Sequence, residues 1–152
     1  MIVLVHHGEA LGPEVEPMRL LSGPGRAASA RLAAGAAARG VHPDVIWHSG
    51  KLRARQTAEL FWRECNPLAG LSAARGLQPT DPPRLMLEQL KEDSRSIVLV
   101  GHMPHLARLL RVLCGEPPDS ATTAATTDFP THGCVALKRQ GEFWTELWRL
   151  KG

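Results

Sequence analysis

The sequence predicts an α/β layered sandwich with a mostly parallel central sheet flanked by helices. Three observations carry this. The tetrad Ile-Val-Leu-Val occurs twice, at Ile2–Val5 and at Ile97–Val100. It is short, continuous and rich in β-branched residues, the mark of a strand buried on both faces of a parallel sheet. After the second copy, Leu106, Leu109, Leu110 and Leu113 fall at i, i+3, i+4 and i+7, an amphipathic helix turned towards a core. Strand-like and helix-like segments then alternate in the order β-α-β-α-α-β-α-β-β, which a layered α/β fold explains.

The first strand is Ile2–Val5. Pro24–Arg39 is alanine-rich and reads as a helix, with Gly40 placed to end it. Val45-Ile46-Trp47 is a second strand. Lys51 to about Glu64 is the next helix, with Ser49 as its expected N-cap. A shorter helix is expected over Leu85–Lys91. Ile97–Val100 is the third strand, and the helix over His105–Cys114 is closed by Gly115 and by Pro117-Pro118. Residues 120–128 are small and polar, as in a surface loop. Val135-Ala136-Leu137 and Phe143–Leu150 flank Gln140-Gly141, a candidate hairpin.

Length and composition narrow the classes. A chain of 152 residues matches the roughly 100–200 residues of one domain, so 1–152 is read as a single domain. Leu, Ile, Val and Phe supply 36 residues, enough for a core and too many for a disordered tail. No apolar run nears the ~20 residues of a membrane span, and Ile2–Val5 is too short for a signal peptide. A cytoplasmic protein is expected, with no membrane partner. Cys65, Cys114 and Cys134 are odd in number and form no C-x-x-C pair, so they read as small buried hydrophobes rather than disulfide or zinc partners.

The net charge of +3 comes mostly from 14 Arg against 4 Lys, and there is no Tyr. The arginines are scattered singly, with no basic run and no aromatic platform, so no nucleic-acid partner is expected. Arginine in place of lysine suits two-pronged recognition of phosphate or carboxylate.

Each strand ends in polar groups. The first runs into His6-His7-Gly8-Glu9, the second into His48-Ser49 with Arg53 on the following helix, and the third into Gly101-His102. In open parallel sheets such ends line one crevice where ligands bind. A helix start beside Ser49 and Arg53 favours an anion. His6 and His7 are adjacent and should point to opposite sides of an extended chain, so no metal site is expected, and no H-E-x-x-H spacing occurs. A Walker loop and a G-x-S-x-G elbow are also absent. Trp144 and Trp148 are read as packing. Arg108 and Arg111 are read as a solvated face. His105 and His132 are placed at the crevice rim, and His42 and His48 in turns.

At this point the residues resemble a known family. Leu4-Val5-His6-His7-Gly8-Glu9-Ala10 is similar to the R-H-G-[DE]-A opening of the histidine phosphatases, the phosphoglycerate-mutase-like superfamily. Ser49-x-x-x-Arg53-Ala54-x-Gln56-Thr57-Ala58 resembles the S-x-x-x-R-A-x-Q-T-A block of its small SixA-like branch. Val100-Gly101-His102-Met103-Pro104 resembles the second-histidine motif, and Arg19-Leu20-Leu21-Ser22-x-x-Gly25 the R-P-L-T-x-x-G segment. Leu77-x-Pro79 and Phe129-Pro130-Thr131 also have counterparts there. The likeness spans nearly the whole chain.

The resemblance implies a minimal core without a large cap insertion, no cofactor, and a metal-independent phosphatase. It implies His7 as nucleophile, with Arg53 and His102 holding the phosphoryl oxygens. His6, Arg19 and Ser49 follow as phosphate contacts, and Glu9, or the region of Asp81, as a possible acid. The SixA-like branch acts on phosphohistidine in proteins, so a phosphorylated protein is the expected partner, with a small phosphate ester as the alternative. One position departs from the pattern: the arginine before the nucleophile is His6 here. Losing a comparable donor costs about 10²–10³ in rate. Three readings stay open. His6 works as a cation, so that activity rises as pH falls; Arg19 fills the place; or the site binds phosphate without turnover, as a regulatory module.

Overall fold

The computed structural model describes residues 1–118 and 128–152. Its elements run β1 (Ile2–His6), α1 (Gly23–Ala38), β2 (Val45–His48), α2 (Leu52–Cys65), β3 (Gly70–Ala73), α3 (Pro83–Lys91), β4 (Ile97–Gly101), α4 (His105–Leu113), β5 (Cys134–Gln140) and β6 (Phe143–Leu150). The six strands form one sheet in the order β3-β2-β4-β1-β5-β6. The four on the β3 side are parallel to one another. β5 and β6 are added antiparallel beside β1. The expected polar loop over 120–128 lies, apart from Asp128, outside the described residues.

The two tetrads are neighbours, pairing Ile2 with Ile97 through Val5 with Val100. Successive side chains point to opposite faces of a sheet, and both faces here are covered. Val3, Val5, Val98 and Val100 pack with Leu32 and Ala36 of α1 and Ala58 and Phe61 of α2. Ile2, Leu4, Ile97 and Leu99 pack with Met86 and Leu90 of α3 and Leu106, Leu109 and Leu113 of α4. This double cover is why neither tetrad alternates with polar residues.

The ends of the elements differ from the sequence pattern in instructive ways. β3 has no clear signal in the sequence, because Gly70-Leu71-Ser72-Ala73 has little β propensity. It is a short edge strand, held by its register against β2. α3 begins at Pro83, two residues earlier than expected, because proline fits the first helical turn. Ser49 does not cap α2: the cap position is Lys51, which makes no side-chain cap bond. Gly40 follows the end of α1 with φ +82°, the left-handed turn that glycine adopts without penalty. Of the cysteines only Cys134 is buried; Cys114 is exposed. Trp144 is buried as expected. Arg111 pairs with Glu116 at 2.8 Å on the surface, whereas Nε of Arg108 is buried.

The loop from β1 into the site is clamped by the start of α1. Ser22 caps that helix by accepting from the Gly25 amide (3.0 Å), and its own amide donates to the Glu9 carbonyl (3.0 Å). Gly25 passes so close to Glu9 that a Cβ built on it would lie 2.1 Å from the Glu9 carbonyl oxygen, while one on Gly23 would meet nothing within 4 Å. Gly25→Ala is therefore expected to destabilise the protein by about 1–3 kcal/mol, as overpacking does. Gly23→Ala is expected to be neutral or slightly stabilising. Urea denaturation of the two variants checks this, and equal midpoints would contradict it.

Candidate active site

Three strand ends place the chemistry. β1 finishes at His6, and the next residue is held across the sheet, the His7 amide donating to the Gly101 carbonyl at 3.1 Å. The Gly8 amide donates to Oγ1 of Thr57 (3.0 Å), and that hydroxyl donates to the Arg53 carbonyl (2.9 Å). So the first turns of α2 are tied to the loop that carries His7. After β4, His102 turns in beside them. The His7 and His102 rings lie 4.9 Å apart.

Hydrogen bonds set the protons on His7. Its Nδ1 is 2.7 Å from the Gly8 carbonyl. A carbonyl only accepts, so Nδ1 carries the hydrogen and Nε2 keeps its lone pair. Arg53 Nε lies 3.4 Å from that Nε2. His102 Nε2 is 2.6 Å from Oγ of Ser49, which also accepts from the Lys51 amide at 3.3 Å just ahead of α2. Nδ1 of His102 is buried without a partner among the described residues.

The electrostatics have one sign. Burial is the largest influence on each imidazole, and it favours the neutral ring. It pulls His7 down to about 4 and His102 to about 3. The charges that add to it on His7 are Arg53, His132 and Arg19; on His102 they are His7, Arg53, Lys51 and His6. None is a carboxylate. Burial and then Arg19 also lower Arg53. Several potential cations thus converge with no acidic partner among the described residues, a setting that an oxyanion would satisfy.

The remaining expected residues are distributed unevenly. Arg19 is at the edge of this group. It takes a left-handed backbone (φ 53°) and its Nε donates to the Leu11 carbonyl at 3.1 Å. Its loop is held by Gln56, whose Oε1 accepts from the Leu21 amide at 2.8 Å. Glu9 is engaged elsewhere: its Oε1 accepts from Oγ of Ser22 at 2.9 Å, beside the start of α1. Asp81 accepts from the Gln78 amide at 2.8 Å. It lines an open groove of ≈ 480 Å³ that begins at Ser49 and includes Arg75, Gln78 and Leu85. His105 is not at a rim; it is fully buried, and among the described residues neither ring nitrogen has a partner. His48, also buried, accepts from the Gly50 amide at 3.0 Å and turns the chain out of β2.

His6 departs most from expectation. Its ring does not diverge from that of His7; the centroids are 4.6 Å apart. Nor is it placed to act as a cation. Its Nδ1 accepts from the His132 amide at 2.8 Å, so its single hydrogen sits on Nε2. Burial, then His7, His132 and Arg53, pull it down to about 3. The idea that His6 is the charged group is overturned by this bond.

The same bond brings His132, expected only at the crevice rim, into direct contact with His6 and His7. His132 stacks on His6 at 4.7 Å, and its Nδ1 lies 2.6 Å from the His7 carbonyl. It precedes β5, and β5 pairs with β1, placing Cys134 opposite Val5. That antiparallel pairing is invisible to local pattern, so the sequence placed His132 only at the crevice rim, after Phe129-Pro130-Thr131, and not against His7, 125 residues away. Among the described residues, Arg19 and His132 are the non-glycine positions with positive φ. Such backbone costs of order 1–3 kcal/mol and tends to gather at functional sites. One ring nitrogen from each of His6, His7 and His132 lies within 4.8 Å of the others. A metal-binding imidazole normally donates its second N–H outward; His7 and His132 do so, but His6 accepts there. The set offers two lone pairs and one N–H, which does not suit a three-nitrogen metal site.

These buried rings predict a pH dependence of stability. Burial, the leading cause in each, lowers His6 and His102 from 6.5 to about 3, and His7 and His105 from 6.5 to about 4. Below the ordinary value the unfolded chain binds more protons than the folded one, so stability is complete above about pH 6.5 and is lost on the way down to about pH 4. Thermal unfolding should show Tm falling steadily through that window; a flat profile there would contradict the assigned neutral rings.

No protein-family model matches the chain, and no curated protein matches it by sequence. Solved structures do. A protein histidine phosphatase SixA, solved with tungstate, superposes with a TM-score of 0.81 at 20% identity, over 99% of this chain and 96% of that one. A structure described as a phosphohistidine phosphatase SixA from Agrobacterium tumefaciens gives a TM-score of 0.79 at 26% identity, over 99% and 97%. An alpha-ribazole phosphatase from Shigella flexneri gives 0.72 at 16% identity, over 96% and 94%. The likeness to the histidine phosphatase superfamily that the motifs announced is therefore carried by the whole structure: the chain has the fold of that superfamily in its compact, SixA-like form.

Proposed function

We propose that this chain is a phosphatase that works through a phosphohistidine on His7, with phosphohistidine in a protein as its substrate. The observation that carries this is the state of His7: Nδ1 anchored 2.7 Å from the Gly8 carbonyl and Nε2 bare, 3.4 Å from a guanidinium. It is an imidazole held neutral, oriented, and facing a cationic pocket. The neighbours of similar fold are phosphatases of the histidine type, which supports the same reaction class here.

In this reading Nε2 of His7 attacks phosphorus in line, the bond to the leaving group breaks, and phosphate passes to the ring. Water then attacks the phosphohistidine, the P–N bond breaks, and inorganic phosphate leaves with His7 restored. Arg53 and His102 hold the non-bridging oxygens and offset the charge that grows on them, the principal lever in phosphoryl transfer. Every step uses groups of the chain and solvent water.

The leaving group decides the substrate class. Glu9 is engaged by Ser22 and Asp81 by Gln78, so the mechanism assigns no carboxylic acid to the leaving group. Positioned acid catalysis is worth about 10²–10⁴ in rate. A substrate that leaves as imidazole or as an aryl oxide loses little without it, whereas a sugar alkoxide loses most of it. The open groove beyond Ser49, mixed in charge through Arg75 and Asp81, leaves room for the rest of a protein loop. The neutral His6, one donor where the resemblance implies a bidentate arginine, favours the second reading: binding without useful turnover.

Assays decide between them. Phosphohistidine protein and p-nitrophenyl phosphate should be turned over about 10²–10⁴ faster than a sugar phosphate; binding of vanadate without turnover of any of the three would establish the second reading. His7→Ala should abolish an acid-labile phosphoenzyme, and label that still accumulates in it would move the nucleophile elsewhere. Arg53→Lys keeps charge and loses the fork, and should cost about 10²–10³ in kcat/KM. The acid limb of kcat/KM should lie near the value of about 4 held by His7, since protonation there removes the attacking lone pair.

A further inference from the structure

Three imidazoles meet at the end of β1, and backbone bonds have given each a different proton capacity. His6 accepts the His132 amide on Nδ1 at 2.8 Å; a second proton on that ring would displace this bond. His7 donates from Nδ1 to the Gly8 carbonyl at 2.7 Å, and a proton on its Nε2 would occupy the lone pair needed for attack. His132 donates from Nδ1 to the His7 carbonyl at 2.6 Å. Its Nε2 has no hydrogen-bond partner among the described residues, so it alone of the three can gain a proton without losing a bond or a function. It is also the least covered: His6 and His7 are buried, while His132 is half-buried.

We propose that His132 is the phosphoryl-binding cation of this site, taking a proton from solvent onto Nε2 when an oxyanion enters and donating it to that oxyanion in place of the arginine missing at position 6. The inference rests on the oxyanion reading of the His7 pocket. The two stacked rings then divide the role of that arginine, His6 supplying a neutral N–H from Nε2 and His132 supplying the charge. The groups facing His132 are His6 and His7 from the end of β1, with Arg53 of α2 acting on both. Gly152, after β6, packs against its main-chain carbonyl. Among the described residues no side-chain carboxylate forms an ion pair with it, so an incoming anion is what makes the second proton favourable. The left-handed backbone at His132 (φ 51°) is the local conformation that lets amide and ring address His6 and His7 together.

Sulfate is a suitable probe because it keeps its double charge throughout the neutral range, so any proton taken up on binding belongs to the protein. Isothermal titration of sulfate in buffers of different ionisation enthalpy should show net proton uptake by the intact chain. His132→Gln should bind sulfate more weakly and lose the uptake; His6→Gln should keep it. In the unsubstituted protein, ring nitrogen shifts should show Nε2 of His132 becoming protonated as sulfate is added, a readout that does not depend on the variants folding. Sulfate binding with no proton uptake, or with uptake retained in His132→Gln, would overturn the assignment to His132 while leaving the phosphatase reading intact. Failure of the chain to bind sulfate or vanadate at all would overturn the oxyanion pocket itself, and this inference with it.

Discussion

The gathering of cationic groups without an acidic counterpart is the constraint around which this molecule is built. Arg53, Arg19 and four imidazoles converge on one place, and the charges acting on His6, His7 and His102 are all of one sign. Burying unpaired charge is expensive. The fold meets the cost by keeping the buried rings neutral through dehydration and the like charges around them, and by leaving the guanidinium of Arg53 partly exposed. An oxyanion entering the resulting pocket would offset this concentration of charge.

Holding that arrangement requires rigidity from outside the site. The parallel pairing of β1 with β4 fixes His7 beside Gly101 and His102. Thr57 joins the Gly8 amide to α2, and Gln56 joins α2 to the loop bearing Arg19. Gly25 lets α1 press against Glu9, and Ser22 fastens the two together. The motif positions that do no chemistry are thus the joints between the elements that do. Ser49, a natural helix cap by sequence, likewise joins His102 to the Lys51 amide ahead of α2.

The exchange of arginine for histidine at position 6 looks at first like a loss of function. In the structure His6 is embedded in a set of contacts with His132. The His132 amide fixes the tautomer of His6, the His132 ring covers it, and the same ring reaches the His7 carbonyl. A guanidinium is charged at every accessible pH, whereas an imidazole with a free nitrogen can acquire charge on demand. A site assembled this way binds its anion with a proton that the anion itself recruits.

Much of this was readable along the chain. The twin tetrads announced two doubly buried strands, the leucine spacing announced α4, and the ordered motifs brought His7, Arg53 and His102 forward, because these signals depend on residues close in sequence. What only the tertiary structure decided were the pairings between distant segments: β3 recruited at the edge by β2, β5 laid antiparallel against β1, and through that pairing His132 delivered to His6 and His7. The proton placement on each ring was decided there too. A tautomer is chosen by whichever backbone amide or carbonyl stands opposite the ring nitrogen, and that neighbour is set by the packing of the sheet rather than by the local order of residues.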